Sequence, residues 1–202
     1  METMRIIKRF TLTLSIWGAF GVLIGSADLK RDAEREYHEH IQRVYTIEMD
    51  AFIEALGQRE SSGRYDIVNH IGAMGKWQFT ASTLKMLGFS NITPLRFKHD
   101  PDIFPPVMQQ EAIMALLQYN EVILHDFIQH YQGMVINNVL ITKGGLLAGA
   151  HLGGAGAVKA WLLSYGKVDR SDGHTYVSDY IQEFSGFALE KVKAASTTAS
   201  NG

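Results

Sequence analysis

The sequence predicts a mainly α-helical domain interrupted once by a small extended insert. Two periodic stretches and one glycine-punctuated segment carry that prediction. Met49, Phe52, Ile53 and Leu56 follow i, i+3, i+4, i+7 spacing, one face of a helix running to about Glu60. Between Pro106 and Gln132, residues Ile113, Leu116, Leu117, Ile123, Leu124, Phe127 and Tyr131 form a second, longer apolar face. Between these helices, Gly72 and Gly75 break the chain into short extended pieces around a turn.

A chain of 202 residues has room for one domain and a short extension. Its 46% hydrophobic and 20% charged residues are ordinary for a globular fold. A net charge of −2 argues against a broad nucleic-acid-binding surface. The chain contains no cysteine, which excludes disulfides, thiolate chemistry, cysteine zinc sites and a lipoprotein cysteine. The N-terminus is patterned differently. Arg5, Lys8 and Arg9 precede an uncharged run of sixteen residues, Phe10 to Gly25, and Gly25-Ser26-Ala27 follows with small side chains. That is the order of a secretory signal, with cleavage expected after Ala27. The run falls short of the about 20 residues of a bilayer span. An uncleaved N-terminal anchor is the alternative for residues 1–27. Either reading places the domain outside the cytoplasm, in the periplasm or secreted.

Residues 28–45 are dense in charge and read as a solvated helix or linker. His38 and His40 are spaced i, i+2 and share no helix face, which argues against a metal site there. Thr46 is a cap candidate for the helix ending at Glu60. Ser61-Ser62-Gly63 breaks that helix. Tyr65–Asn69 and Met74–Phe79 read as extended, joined by a turn at Ile71-Gly72. Thr80 or Ser82 opens a short helix that ends near Gly88. Residues 89–105 read as loop, with Pro94, Pro101 and Pro105. Pro105-Pro106 suits the start of the long helix, where no amide donor is needed, and Gly133 stops it. Asn137 to His151 reads as one or two helices, weakened by Gly144-Gly145. Ala155 to Tyr165 is helical after Gly153-Gly154 and closes at Gly166. Ser178 is the expected cap of a last helix, Asp179–Phe184. The main domain is expected over 46–190, with 191–202 as a disordered tail.

Glu60 is the anomaly in this pattern. It lies four residues after Leu56, where the stripe calls for another apolar side chain. Partial burial and the negative end of a helix both favour the neutral form of a carboxyl group. A neutral glutamic acid can protonate a leaving oxygen. The plainer reading is a solvated residue at a frayed helix end.

Three blocks together point further: Glu60-Ser61, then Gly72-Ala73-Met74-Gly75-Lys76-Trp77-Gln78, then Leu147-Ala148-Gly149-Ala150-His151-Leu152-Gly153-Gly154-Ala155-Gly156-Ala157-Val158. Over roughly residues 46–185 they resemble the soluble lytic transglycosylases of the lysozyme superfamily. The resemblance implies a lysozyme-like α+β fold, mainly helical, with a small β insert after the catalytic glutamate. It implies a peptidoglycan lytic transglycosylase that needs no metal or organic cofactor. Glu60 would protonate the bond between N-acetylmuramic acid and N-acetylglucosamine. As carboxylate it would then take the proton of the muramoyl 6-hydroxyl, which closes a 1,6-anhydro ring. The implied partner is the peptidoglycan glycan strand, bound by a monomer, with a cell-wall remodelling or secretion complex as its setting.

By position, the resemblance assigns Ser61, Gly72, Met74, Gly75 and Gln78 to the substrate cleft. His151 stands where the family usually has a tyrosine expected to hydrogen-bond the catalytic carboxyl, and Leu152 where it has asparagine. His151 takes that role, titrates beside Glu60, or packs between helices. Tyr180 resembles the family's C-terminal cleft tyrosine, with Tyr176 as the alternative. Each position also has a plainer reading. Ser61 is then a turn serine, Gly72 and Gly75 supply turn geometry, Met74 fills core and Gln78 is a structural amide. Trp77 stacks on sugar or belongs to the core. Asp66, Asp100 and Asp102 are turn or cap residues, or the second carboxylate of a muramidase that hydrolyses the same bond. A non-catalytic peptidoglycan-binding or scaffold protein is the third reading, prompted by the departures at His151 and Leu152.

Overall fold

A computed structural model describes residues 22–189. The expected basic segment, the apolar run as far as residue 21, and the expected tail 191–202 lie outside the described residues. The chain divides into two units, residues 1–42 with 194–202, and residues 43–193. Within the first, residues 22–42 are helical, and its described side chains are almost all exposed. Arg35–Asp32 (3.0 Å) and Lys30–Glu34 (4.0 Å) pair locally there, at helical i, i+3 and i, i+4 spacing.

Seven α-helices and a two-stranded sheet are found among the described residues, so the protein is mainly helical. Helix α1 spans Val22–Ser61 without interruption. Thr46 therefore lies within it and caps nothing, because the charged stretch before it holds no glycine or proline to break the helix. Helix α2 (Ala81–Met86) starts at Thr80, whose side chain accepts from Thr83 N. The stretch expected as loop folds into α3 (Pro94–His99) and a 3₁₀ turn (Pro101–Ile103). Thr93 caps α3, and both proline rings sit in first turns that lack amide acceptors anyway. The long helix α4 is Pro106–Tyr131.

The sequence expectation fails after α4. Val135–Ile136 (β1) and Val139–Leu140 (β2) form an antiparallel hairpin rather than the start of a helix. Asn137 and Asn138 both adopt positive φ (50° and 65°), the backbone that a two-residue hairpin turn demands. Helix α5 then runs Lys143–Gly153 from a Thr142 cap, and α6 is Ala155–Leu163. Helix α7 is Val177–Glu183. It starts two residues before the expected Asp179, and Asp179 Oδ2 accepts from Tyr176 N (2.8 Å), so Ser178 is not its cap. Among the described residues, no single helix is long and apolar enough to cross a membrane.

The insert after α1 is a series of turns held by isolated bridges, and Gly75–Gln78 form a turn where the sequence suggests an extended segment over Met74–Phe79. Antiparallel bridges join Val68 to Met74 and Met74 to Phe79. Asn69 Oδ1 accepts from Ile71 N (3.0 Å) and Ala73 N (2.8 Å), which folds the turn that Gly72 completes at φ 87°. The insert packs on α1 and α4 through one core that includes Phe52, Leu56, Met74, Trp77, Phe79, Ile113 and Leu117. A second cluster, including Leu124, Ile141, Leu146, Trp161 and Ile181, joins α4 to α7. The glycines of α5 permit its close approach to α7. A Cβ at Gly145 would lie 2.6 Å from Ile181 O, and one at Gly149 2.8 Å from Ile181 Cγ1. The Gly144-Gly145 pair that weakens the helix reading is thus part of a helix contact.

Candidate active site

Glu60 ends α1, and the termination of the helix fixes where it points. Ser62 and Gly63 turn to positive φ, and their amides bond back to Gln58 O (3.0 Å) and Gly57 O (3.1 Å). Ser61 is buried and accepts from Arg64 N (2.9 Å). Its hydroxyl is also within donor reach of Arg64 O (3.1 Å) and Gly57 O (3.3 Å). Ser61 thus closes the helix end and holds Glu60 in place from behind.

Two side chains from elsewhere converge on the Glu60 carboxyl, which is 13% exposed. Tyr180 of α7, 120 positions later, donates its hydroxyl to Oε1 at 2.6 Å. His151, at the end of α5, places Nε2 3.6 Å from the same oxygen. Neither contact falls on Oε2. Tyr176 is about half exposed on the surface, which separates the two tyrosines that sequence leaves as alternatives.

Burial is the main cause that pushes the Tyr180 phenol far up from its usual 10, and the Glu60 charge and hydrogen bond add to it. Tyr180 is therefore a permanent donor to Glu60. Burial also lowers the pKa of His151, against the opposing pull of Glu60 and the Trp77 backbone. Its ring is neutral near pH 7, and Nδ1 is buried without a hydrogen-bond partner. This sets the sign of a pH effect. In the unfolded chain the ring ionises near its ordinary 6.5. In the fold it ionises only at lower pH. Above 6.5 both states are neutral and nothing is lost. Below it the unfolded chain takes up a proton that the fold resists, so stability falls as pH falls. His151→Gln should lose less of its urea midpoint between pH 7.5 and 5.5 than the natural chain does. Equal losses would rule out His151 as a source of the acid sensitivity.

The other positions separate. Met74 is fully buried between the two bridges of the insert and lines no surface. This corrects its assignment to the cleft, because its side chain packs in the core with Phe52, Leu56 and Trp77. Gly75 is also buried, at φ 72°, and a Cβ there would lie 2.1 Å from Gln109 Oε1. It makes room for a protein side chain rather than for sugar. Gly72 completes a turn beside Pro94. Gln78, itself at φ 48°, donates Nε2 to Gly75 O (2.7 Å) and braces the Gly75–Gln78 turn while remaining partly exposed. Trp77 belongs to the core, with Nε1 donating to Ile53 O at 2.7 Å. Leu152 packs partly buried against both core clusters. The Asp66 side chain is 71% exposed, 3.8 Å from Arg64. Asp100 Oδ1 accepts from Asp102 N (3.1 Å) at the 3₁₀ turn.

Sequence reasoning missed three residues around this site. Gln109 of α4 is fully buried. It accepts from Lys76 N (2.8 Å) and donates to Tyr65 O and Phe104 O (2.8 Å each). It falls four residues before Ile113, a polar group on an apolar stripe, the same signal that singles out Glu60. Arg59 and Glu183 pair at 3.1 Å beside Tyr180 and give no sequence signal, since both are charged residues near helix ends. Comparison with known protein families, with curated proteins and with solved structures found no match to this chain.

Proposed function

We propose that the protein is a lytic transglycosylase with a lysozyme-like fold, cleaving the bond between N-acetylmuramic acid and N-acetylglucosamine in peptidoglycan. The observation that carries this reading is the hydrogen bond from Tyr180 to Glu60 Oε1, made at a helix end directly before a glycine-turned insert. With Oε1 engaged, Oε2 is the oxygen left to exchange a proton with substrate. In the first step Oε2–H protonates the glycosidic oxygen, and the C1–O bond breaks. In the second, the muramoyl 6-hydroxyl bonds to C1 and its proton returns to the Glu60 carboxylate. The acid is regenerated, no water is consumed, and no metal or cofactor takes part. The intramolecular attack gains from a high effective molarity, about 10⁵ M or more in well-oriented systems. The wall lies outside the cytoplasm, so the reading also needs the export that residues 1–27 suggest.

A muramidase would hydrolyse the same bond with a second carboxylate. Asp66 is the nearest in sequence, and it is exposed beside Arg64 rather than held by the groups around Glu60. Digestion of purified sacculi followed by mass spectrometry tests the proposal. The fragments should carry 1,6-anhydro-muramoyl ends, lighter by one water than hydrolysis products. Asp66→Asn should keep most of the activity. Hydrated reducing ends, with activity lost in Asp66→Asn, would indicate the two-carboxylate enzyme. Sacculi that co-sediment with the protein and release no fragments would indicate a binding protein.

A further inference from the structure

Arg59 precedes Glu60 on α1, and adjacent helix positions do not face each other. It reaches the site by another route. Its guanidinium carbon lies 5.2 Å from the centroid of the Tyr180 ring, and its Nε bonds Glu183 Oε2 at 3.1 Å. Tyr180 and Glu183 are three residues apart on α7, so they lie on one face and form a fork around the guanidinium. The chain of contacts runs Glu183, Arg59, Tyr180, Glu60.

We propose that Arg59, pinned by Glu183, is a positioning residue for Glu60 that acts through the Tyr180 hydroxyl. The proposal rests on the transglycosylase reading for its catalytic consequence, and on the contacts alone for its physical basis. Two effects follow from the fork. It ties the last turn of α1 to α7, so the Tyr180 hydroxyl keeps its distance from Oε1. A cation over the ring also draws electron density from the phenol and makes its O–H a better donor. Arg59 pulls the Tyr180 pKa down against the larger upward push of burial and Glu60. Burial opposes the charge on Arg59 itself, but Glu183, Tyr180 and Glu60 together outweigh it and keep Arg59 cationic.

The test uses the full chain with tyrosine ¹³C-labelled at Cζ. The Tyr180 resonance is assigned by its absence in Tyr180→Phe. Arg59→Met removes the charge and keeps the stem, and it should shift that resonance. Arg59→Lys should restore part of the shift, and Glu183→Gln should move it in the same direction as Arg59→Met but less. On soluble glycan strands, Arg59→Met should lower kcat by about two- to fivefold, the scale of one partly exposed cation–π contact, with KM nearly unchanged. In the Tyr180→Phe background the same change should have little further effect, because coupled residues are not additive. An unmoved Tyr180 resonance in both Arg59→Met and Glu183→Gln overturns the proposal. So does a kcat loss of equal size in both backgrounds. If the natural chain cuts no glycan, the transglycosylase reading fails, while the resonance still decides the Arg59 contact.

Discussion

Glu60→Gln is expected to abolish glycan cleavage while leaving the fold and glycan binding intact. The amide is nearly isosteric with the protonated acid. Its Oε1 can still accept from the Tyr180 hydroxyl, which reaches the natural side chain at 2.6 Å. The amide nitrogen then replaces Oε2, and its N–H protons are too weakly acidic to transfer to a leaving oxygen. Loss of a general acid costs about 10²- to 10⁴-fold in rate. The loss here should reach at least that scale, because one carboxyl group serves both proton transfers. Fragment release from sacculi measures the rate. The urea midpoint and co-sedimentation with sacculi, both unchanged, separate lost chemistry from lost structure. Near-normal turnover in this variant would remove Glu60 as the acid and most of the proposed function with it. Tyr180→Phe should be milder, since it frees Oε1 without removing the transferable proton.

What was legible in the sequence follows a physical divide. A residue type that violates a period stands out by itself, so Glu60 was visible as a polar interruption of an apolar stripe. Helix ends written in side-chain chemistry were also visible. Thr80 and the Pro105-Pro106 pair stand where α2 and α4 begin. The hairpin at Val135–Leu140 was not, because strands of two residues have no period to detect. Its turn is written in Asn137-Asn138, a weaker signal than a glycine turn. The 3₁₀ turn and α3 were hidden by their prolines, which mark helix starts as readily as loops. Motif position named Met74 and Gly75 but not what surrounds them. Met74 packs in the core and Gly75 makes room for Gln109, and only the packing decides that. The approach of Tyr180 to Glu60 spans 120 positions and depends on how α7 docks, so a resemblance could suggest it but spacing could not derive it.

The insert beside Glu60 hangs on Gln109, and its replacement should cause the largest loss of stability. Gln109 satisfies three backbone groups at once: Lys76 N, Tyr65 O and Phe104 O, each at 2.8 Å. In Gln109→Leu a side chain of similar volume makes none of these bonds. Each buried group left without a partner costs about 1–3 kcal/mol, so the total should be about 3 kcal/mol or more. For a chain of this size each kcal/mol lowers Tm by about 2–4 °C. A fall of roughly 6–12 °C is therefore the expected result in a thermal melt. Gly75→Ala should also destabilise, for the opposite reason. Its new Cβ would lie 2.1 Å from Gln109 Oε1, on a backbone at φ 72° that disfavours any side chain. Because both changes act on one contact, they should not add. In Gly75→Ala with Gln109→Ala, the shortened side chain makes room for the new methyl group. That double variant should lose less than the sum of the two single alanine variants. Strict additivity in the melts would mean that Gln109 and Gly75 act separately. The amide would then not be what holds the insert against α4.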